Sequence, residues 1–323
     1  MSEYTVVVTD HDFADLAIER DVLGGVAEVV ALVDDVGAVP DDADERLAEA
    51  DAVLNLRYEL DGDAVATMER CQVVARYGIG VDNVAVEAAT EREIPVTNVP
   101  GYCTGEVATH ALSLLLALVR GLKRYDASVA AGDWDRGAAV PITRFSELTV
   151  GVVGYGDIGR AVGERVAALG ADVVASDPFL DDDDVADDPA ELVEFEALLS
   201  DSDAVTVHSP LTDGTRGLFD ADAIARLPDS AVLVNVARGP IVDDDAVAAA
   251  LDAGELAGAG LDVFPEEPPA SDNPLRDHPR VVTTPHVAWY SEEANDERRR
   301  RAAESVRAVL SGNEPEHVVN EVR

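Results

Sequence analysis

The sequence predicts an α/β protein with a doubly wound parallel sheet in one domain and a second, smaller α/β domain. Three observations predict it. Short β-branched apolar runs alternate with helical patterns along most of the chain. Those runs are nearly continuous in hydrophobicity, as in strands covered on both faces, rather than alternating apolar with polar. The chain has 323 residues, 47% of them hydrophobic, which is long for one domain and enough for two cores.

In the first hundred residues YTVVVTD (4–10), VAEVVALV (26–33), AVLNL (52–56), CQVVARY (71–77) and IPVTN (94–98) read as strands with helical patterns between them. They form the smaller domain. One long apolar helix, about 104–124, leads out of it. Beyond that helix TVGVV (149–153), ADVVAS (171–176), AVTVH (204–208), AVLVNV (231–236), GAGLDVF (258–264) and VVTT (281–284) read as strands. DIGRAVGERVAAL (157–169), PAELVEFEALLS (189–200) and DDDAVAAALDAG (243–254) read as helices between them. The last helix, 291–312, returns to the first domain. The expected division is therefore 1–100 with 291–323 as the substrate-binding domain and 101–290 as the larger one.

Charge limits the partners. Sixty-five acidic residues against 24 basic ones give −41, and Lys123 is the sole lysine. The carboxylates are dispersed through periodic segments, with DDDD (181–184) the one true run, so the excess is not a disordered acidic tail. The composition is that of a protein built for molar salt, where the Debye length shrinks to about 3 Å. Phosphate repels such a surface, which argues against nucleic acid as a partner. The longest apolar stretch, ALSLLLALV (111–119), falls short of the roughly 18 residues a membrane span needs. MSEYTVVVTD has no basic n-region and reads as a first strand, not a signal peptide. Cys71 and Cys103 are too few for a disulfide framework, and no Cys/His spacing suggests a metal. A reduced cytoplasm is the expected compartment.

The first chemical motif is Gly154-Tyr155-Gly156-Asp157-Ile158-Gly159. G-x-G-x-x-G is weak alone, but here it follows a strand and opens a helix, the context that dinucleotide binding requires. The glycines permit the tight turn, the approach of a pyrophosphate and close helix–sheet packing, with the phosphates at the helix N-terminus. Asp177 ends the next strand, about twenty residues on, where a carboxylate accepts the ribose hydroxyls of NAD and repels the 2′-phosphate of NADP. NAD is the expected cofactor.

Three more residues follow strands. Arg238 lies in LVNVARGPIVD, Glu267 in LDVFPEEPP and His286 in TTPHVAWYSEEA. Singly, each has a bland reading: a solvated loop arginine, one acid among many, a packed histidine. Together they fall at the carboxyl edge of the sheet, where ligands of open α/β sheets lie. A guanidinium there can grip a carboxylate through two hydrogen bonds, and an imidazole oriented by a carboxylate can carry a proton.

With VGVVGYGDIG, VNVARGPIVD, GLDVFPEEP and TPHVAW in this order, the chain resembles the D-isomer-specific 2-hydroxyacid dehydrogenases over essentially its whole length. The resemblance implies a Rossmann domain, a flavodoxin-like substrate domain, NAD as cofactor and hydride transfer between nicotinamide and a D-2-hydroxy acid or 2-keto acid. It implies Arg238, Glu267 and His286 as the catalytic set. It also implies cofactor contacts from Gly154, Gly156, Asp157, Ile158, Gly159, Asp177, Ser209, Thr215, Val236, Ala237, Asp262 and the catalytic arginine and histidine. Substrate contacts are implied for Arg76, Gly78, Ile79, Gly80, Arg238 and Trp289. TPHVAWYSEEA and VARYGIGVDN look most like the C-terminal-binding-protein branch and phosphoglycerate-dehydrogenase-like relatives; the chain is expected to end too early for the regulatory domain many of the latter carry. A homodimer built on the apolar helix 104–124 is implied in the same way.

The rival of another class is a dinucleotide-sensing binding protein of the C-terminal-binding-protein type, with little turnover; the intact Arg/Glu/His set argues for chemistry. A glycine-turn methyltransferase would need no such set. Among the other histidines, His110 reads as packed within an apolar helix and His208 as lining on the adenosine side. His11, His278 and His317 read as superficial. Tyr102 and Cys103 read as lining between the domains, and Tyr102 and Thr104 as placed to touch cofactor or substrate.

Overall fold

The computed structural model describes residues 4–33 and 40–322. Met1–Glu3 of the segment read as a first strand, and residues 34–39 and 323 of the first-domain assignment, lie outside them. The chain forms two compact units, Met1–Tyr102 with Ser291–Arg323, and Cys103–Tyr290.

The first unit runs β1 (Tyr4–Val8), α1 (Ala17–Leu23), β2 (Ala27–Ala31), α2 (Ala43–Ala48), β3 (Ala52–Asn55), α3 (Gly62–Thr67), β4 (Val74–Arg76), α4 (Val86–Glu91) and β5 (Val96–Thr97). Its sheet has the order β2-β1-β3-β4-β5 with parallel pairings throughout, the order of flavodoxin-like sheets. Every residue of β3 is buried, which is why the sequence there shows no alternation.

The second unit runs α5 (Thr104–Val119), α6 (Leu122–Ala130), β6 (Thr149–Val153), α7 (Asp157–Ala168), β7 (Asp172–Ser176), β8 (Ala190–Leu192), α8 (Phe195–Asp201), β9 (Ala204–Val207), α9 (Ala221–Ile224), β10 (Val232–Asn235), α10 (Asp244–Ala253), β11 (Gly258–Leu261) and β12 (Val281–Thr283). The order β12-β11-β10-β9-β6-β7-β8 is a doubly wound sheet whose direction of winding reverses beside β6. α5 buries Val107, Ala108, Ala111, Leu114 and Leu115 and packs on α7, β10 and β11. Helix α11 (Glu292–Leu310) belongs to the first unit and packs on α1, β3 and β4. There Arg299 clasps the fully buried carboxylate of Glu19 through Nε at 2.9 Å and Nη2 at 2.7 Å, and the Tyr77 hydroxyl donates to the same carboxylate at 3.1 Å. Removing one member of such a pair typically costs about 3–5 kcal/mol.

Two expected elements differ. The helix expected over 104–124 is two helices bent by 61°, because Gly121 takes the left-handed φ of +62° and ends the first. The segment expected as one helix over 189–200 begins with the strand β8, which adds to the open edge of β7, and only then turns helical in α8. Among the described residues no single helix is long and apolar enough to cross a membrane.

Candidate active site

The register of the second sheet lines up the last residues of its strands. Ser176 pairs with Val153, Val153 with Val207, Val207 with Asn235, Asn235 with Leu261, and Leu261 with Thr283. Each residue named from the sequence in this unit therefore leaves the sheet from one straight edge. Asp177 and the glycine turn follow that row directly, Ser209, Arg238 and His286 within three residues of it, and Glu267 six residues beyond Leu261. Apolar runs that read as longer strands end here because their last residues turn out of the ladder; Asp262–Phe264 are an example.

Gly154 holds φ +85°, which opens the turn after β6. A side chain on Gly159 would stand 2.2 Å from the Gly154 carbonyl oxygen, so only glycine lets α7 start this close to the sheet. A Cβ on Gly154 would meet Ser209 N and Oγ at 2.6 Å, which places the Ser209 loop directly on the turn. Above Gly156 the space is open, with nothing within 4 Å of where a Cβ would stand. Asp177 is oriented by two backbone donors: Tyr155 N–H to Oδ2 at 2.9 Å and Phe179 N–H to Oδ1 at 3.0 Å. Asp157 is exposed and Ile158 half-buried in the first turn of α7. The Thr215 hydroxyl donates to the Pro210 carbonyl at 2.6 Å and closes the loop after Ser209.

Arg238 is set by its neighbours. Asn235, 1% exposed, accepts the Ala237 N–H at 3.0 Å and donates to the Arg238 carbonyl at 2.9 Å, an Asx-type turn that bends the chain out of β10. Val236 is buried and Ala237 packs against the core. A Cβ on Gly239 would fall 1.9 Å from the Phe264 carbonyl carbon, so the Arg238 loop rests on the backbone of the Glu267 loop.

His286 and Glu267 meet. Nδ1 of the imidazole lies 2.7 Å from Glu267 Oε2, while Oε1 accepts the Phe264 N–H at 3.1 Å. Burial alone would raise the Glu267 carboxyl, but it is overcome by the His286 hydrogen bond and charge, the Phe264 N–H and the Arg238 charge. The net result is a carboxyl held below the ordinary glutamate value. Because a carboxylate only accepts, His286 donates through Nδ1–H, and Nε2 is the ring nitrogen turned away from that contact. The side chains remain 43% and 37% exposed, so a small molecule can reach them. His286 takes φ +55°, and the Trp289 indole N–H donates to its carbonyl at 3.0 Å.

The substrate residues named from the sequence in the first unit lie at the end of β4, whose last residue is Arg76, and in the turn after it. Arg76 donates from Nε to the Gly80 carbonyl at 2.9 Å, from Nη1 to Asn55 Oδ1 at 3.2 Å, and also to the Leu56 carbonyl. It thereby holds the Gly78-Ile79-Gly80 turn, in which Gly78 is buried and Ile79 exposed.

Two histidine readings change, those of His110 and His278, and His208 gains detail. His110 is partly exposed and hydrogen-bonded to Thr284 Oγ1 at 2.9 Å, since its place on α5 faces the end of β12. His278 is only 13% exposed at its side chain, because its backbone carbonyl anchors the Lys123 ammonium at 3.1 Å beside β12. His208 contacts Thr206 Oγ1 through Nε2 at 2.9 Å, but its Nδ1 is buried without a partner, and burial pushes its pKa down to about 3. Two site-building residues escaped the sequence reading altogether, Asn235 and Thr284. An Asn three residues before Arg238, and a Thr two before His286, were the available signals.

The family model for the NAD-binding domain of the D-isomer specific 2-hydroxyacid dehydrogenases matches residues 112–288, more than half of the chain. The chain belongs to that family. Two curated relatives extend the match. This dehydrogenase-family chain is 42% identical over 265 residues to the D-3-phosphoglycerate dehydrogenase of Mycobacterium leprae, covering 82% of this chain and 50% of the relative. It is 34% identical over 287 residues to the glycerate dehydrogenase of Methylorubrum extorquens, covering 87% and 88%. Among solved structures, the D-lactate dehydrogenase from Aquifex aeolicus complexed with NAD and lactic acid is 26% identical. It has a TM-score of 0.87, over 95% of this chain and 96% of that one. The chain spans about half the length of the phosphoglycerate dehydrogenases it matches.

Proposed function

We propose that the chain is an NAD-dependent D-2-hydroxyacid dehydrogenase acting on a small 2-hydroxy or 2-keto acid of the hydroxypyruvate, glyoxylate or phosphoglycerate type. The single observation that carries this reading is the 2.7 Å contact of His286 Nδ1 with Glu267, on the sheet edge that also bears the glycine turn and Arg238. The residues fit the cofactor: an open turn at Gly156, the start of α7 for the pyrophosphate, and a carboxylate at Asp177 that favours NAD over NADP. Ser209, Thr215, Val236, Ala237 and Asp262 complete its proposed surroundings. Bound NAD supplies the hydride acceptor for C2 of the hydroxy acid.

The chain's own residues do the rest. His286 Nε2 takes the hydroxyl proton in oxidation and returns it to the oxygen in reduction, a role typically worth about 10²- to 10⁴-fold. Glu267 holds the Nδ1–H tautomer and stabilises the imidazolium as it forms. Arg238 grips the substrate carboxylate in a two-pronged hydrogen bond and orients C2. Arg76, the Gly78–Gly80 backbone and Trp289 are the further substrate contacts of this reading. The motifs TPHVAWYSEEA and VARYGIGVDN support a place in the C-terminal-binding-protein and phosphoglycerate-dehydrogenase-like branch.

The dispersed acidity supports a cytoplasm of high salt. Leu122, Val129, Trp134 and Val140, each more than half exposed on the second unit, support a homodimer, which sedimentation in molar KCl would register as twice the chain mass. The deciding experiment is NADH oxidation in molar KCl across glyoxylate, hydroxypyruvate, phosphohydroxypyruvate and pyruvate. Turnover with at least one of them, lost in His286→Ala while NADH still binds, is the expected result. Silence across the panel with intact NADH binding would favour the sensor reading instead.

A further inference from the structure

Beneath the loop that carries His286 runs a chain of hydrogen bonds that the proposed cofactor contact of Asp262 does not account for. It centres on Asp262, 1% exposed. Its Oδ1 accepts the Val287 N–H at 2.9 Å and the Thr284 hydroxyl at 2.5 Å, and its Oδ2 accepts the Ala288 N–H at 2.9 Å. The Asp262 carbonyl accepts the His286 N–H at 2.7 Å. Thr284 Oγ1 in turn lies 2.9 Å from His110 Nε2, on α5.

The directions of these bonds follow from proton counting. A carboxylate only accepts, so Thr284 gives its one hydroxyl proton to Asp262. The Thr284 oxygen can then only accept from His110, which must carry hydrogen on Nε2. The donors therefore run from His110 to Thr284 to Asp262, and two loop N–H groups converge on the same carboxylate from the other side. At the middle of that loop His286 sits at φ +55°, a conformation that costs a non-glycine residue about 1–3 kcal/mol and persists only where the surroundings impose it. The imposing groups are those around Asp262, together with the Trp289 indole on the His286 carbonyl. Relaxing φ at His286 would swing the imidazole off Glu267.

We propose that His110 is a positioning residue for His286. Through Thr284 and Asp262 it holds the loop 284–288 in the strained form that keeps Nδ1 on Glu267 and Nε2 toward the substrate. This rests on the reading of His286 as the proton carrier. The competing role is plain packing of α5 on the end of β12, and a ring without a donor separates the two.

The test uses the full chain in molar KCl, with the wild type, His286→Ala, His110→Phe, Thr284→Val and Thr284→Ser compared. Histidine ¹⁵N spectra, with the His286 signal assigned by its loss in His286→Ala, report the ring tautomer without any turnover. The wild type is expected to show one Nδ1–H form, His110→Phe and Thr284→Val a mixture, and Thr284→Ser the wild-type form. In the keto-acid assay the first two variants should lose about 10- to 100-fold in kcat at unchanged NADH affinity, with a larger isotope effect from 4-deuterated NADH. Thr284→Ser should stay within about threefold. Folded His110→Phe and Thr284→Val proteins with wild-type His286 signals would overturn the proposal. Absence of wild-type turnover would instead remove the dehydrogenase reading, and the spectra would still decide this one.

Discussion

The Glu267 carboxylate, hydrogen-bonded to His286, sits under a balance of forces from which a specific titration behaviour follows. Partial burial pushes its pKa up, and the His286 hydrogen bond and charge, the Phe264 N–H and Arg238 push it down further than burial raises it. The folded carboxyl is therefore held below the ordinary glutamate value. A depressed acid contributes stability that is fully present above its unfolded pKa and is lost as pH falls through the folded one, so the His286–Glu267 contact should survive mild acid. Carboxyl ¹³C titration in molar KCl should give a Glu267 midpoint below that of an ordinary glutamate, and His286→Ala should move it upward by removing the largest lowering contributions. A wild-type midpoint that is not below that of an ordinary glutamate would contradict the hydrogen-bonded geometry. At this scale the three catalytic candidates were readable because each follows an apolar run directly, and position at a strand end is a one-dimensional fact. The hydrogen-bonding positions of Asn235, Asp262 and His110 were not readable. Each acts through hydrogen bonds to chain that lies close only after the sheet has formed, and His110, on an apolar helix, has the local pattern of a core residue.

Among the elements, the straight row of strand ends does most of the positioning, and the loops that leave it are set against one another by close backbone contact. The Arg238 and Glu267 loops touch where a Cβ on Gly239 would overlap the Phe264 carbonyl carbon at 1.9 Å. Backbone cannot rotate away as a flexible side chain can, so Gly239→Ala must force the two loops apart. Overpacking of this kind typically costs about 1–3 kcal/mol, and a displacement of about 1 Å at a reacting group can cost roughly 100-fold in rate. Gly239→Ala is therefore expected to lower kcat/KM on the best keto acid by about 100-fold with a modest drop in the urea midpoint. Near-normal kcat/KM would show that the contact is not what sets Arg238 against Glu267. The sheet orders follow from the alternation of buried apolar runs and helices, which the sequence displays openly. Strand β8 and the break at Gly121 do not follow from it: Ala190–Leu192 is too short for a period, and a single glycine in an apolar helix is compatible with continuation until packing selects the left-handed turn.

For the whole molecule, the decisive quantity is −41 net charge on 323 residues. Cations are scarce, and several of them serve the interior of the fold. Arg299 and Arg298 join α11 to the first unit, at Glu19 and Asp12, and the lone lysine, Lys123, donates to the carbonyls of His278 and Val281 at the β12 end of the second sheet. Too few are left to neutralise the surface, so carboxylates face one another across water. In dilute buffer, with a Debye length of about 10 Å at 0.1 M, that repulsion acts between neighbours and opposes the compact state; near 1 M it is screened to about 3 Å. Relief of a few kcal/mol, at about 2–4 °C of melting temperature per kcal/mol for a chain or domain of this order of size, corresponds to a rise on the order of 10 °C. The melting temperature should therefore climb between 0.1 M and 2 M KCl. NaCl should act similarly, because screening depends on ionic strength, and an isosmotic sucrose series should not reproduce the climb, because sucrose screens no charge. A melting temperature that stays flat across the KCl series would mean that the acidic surface is not held in check by salt.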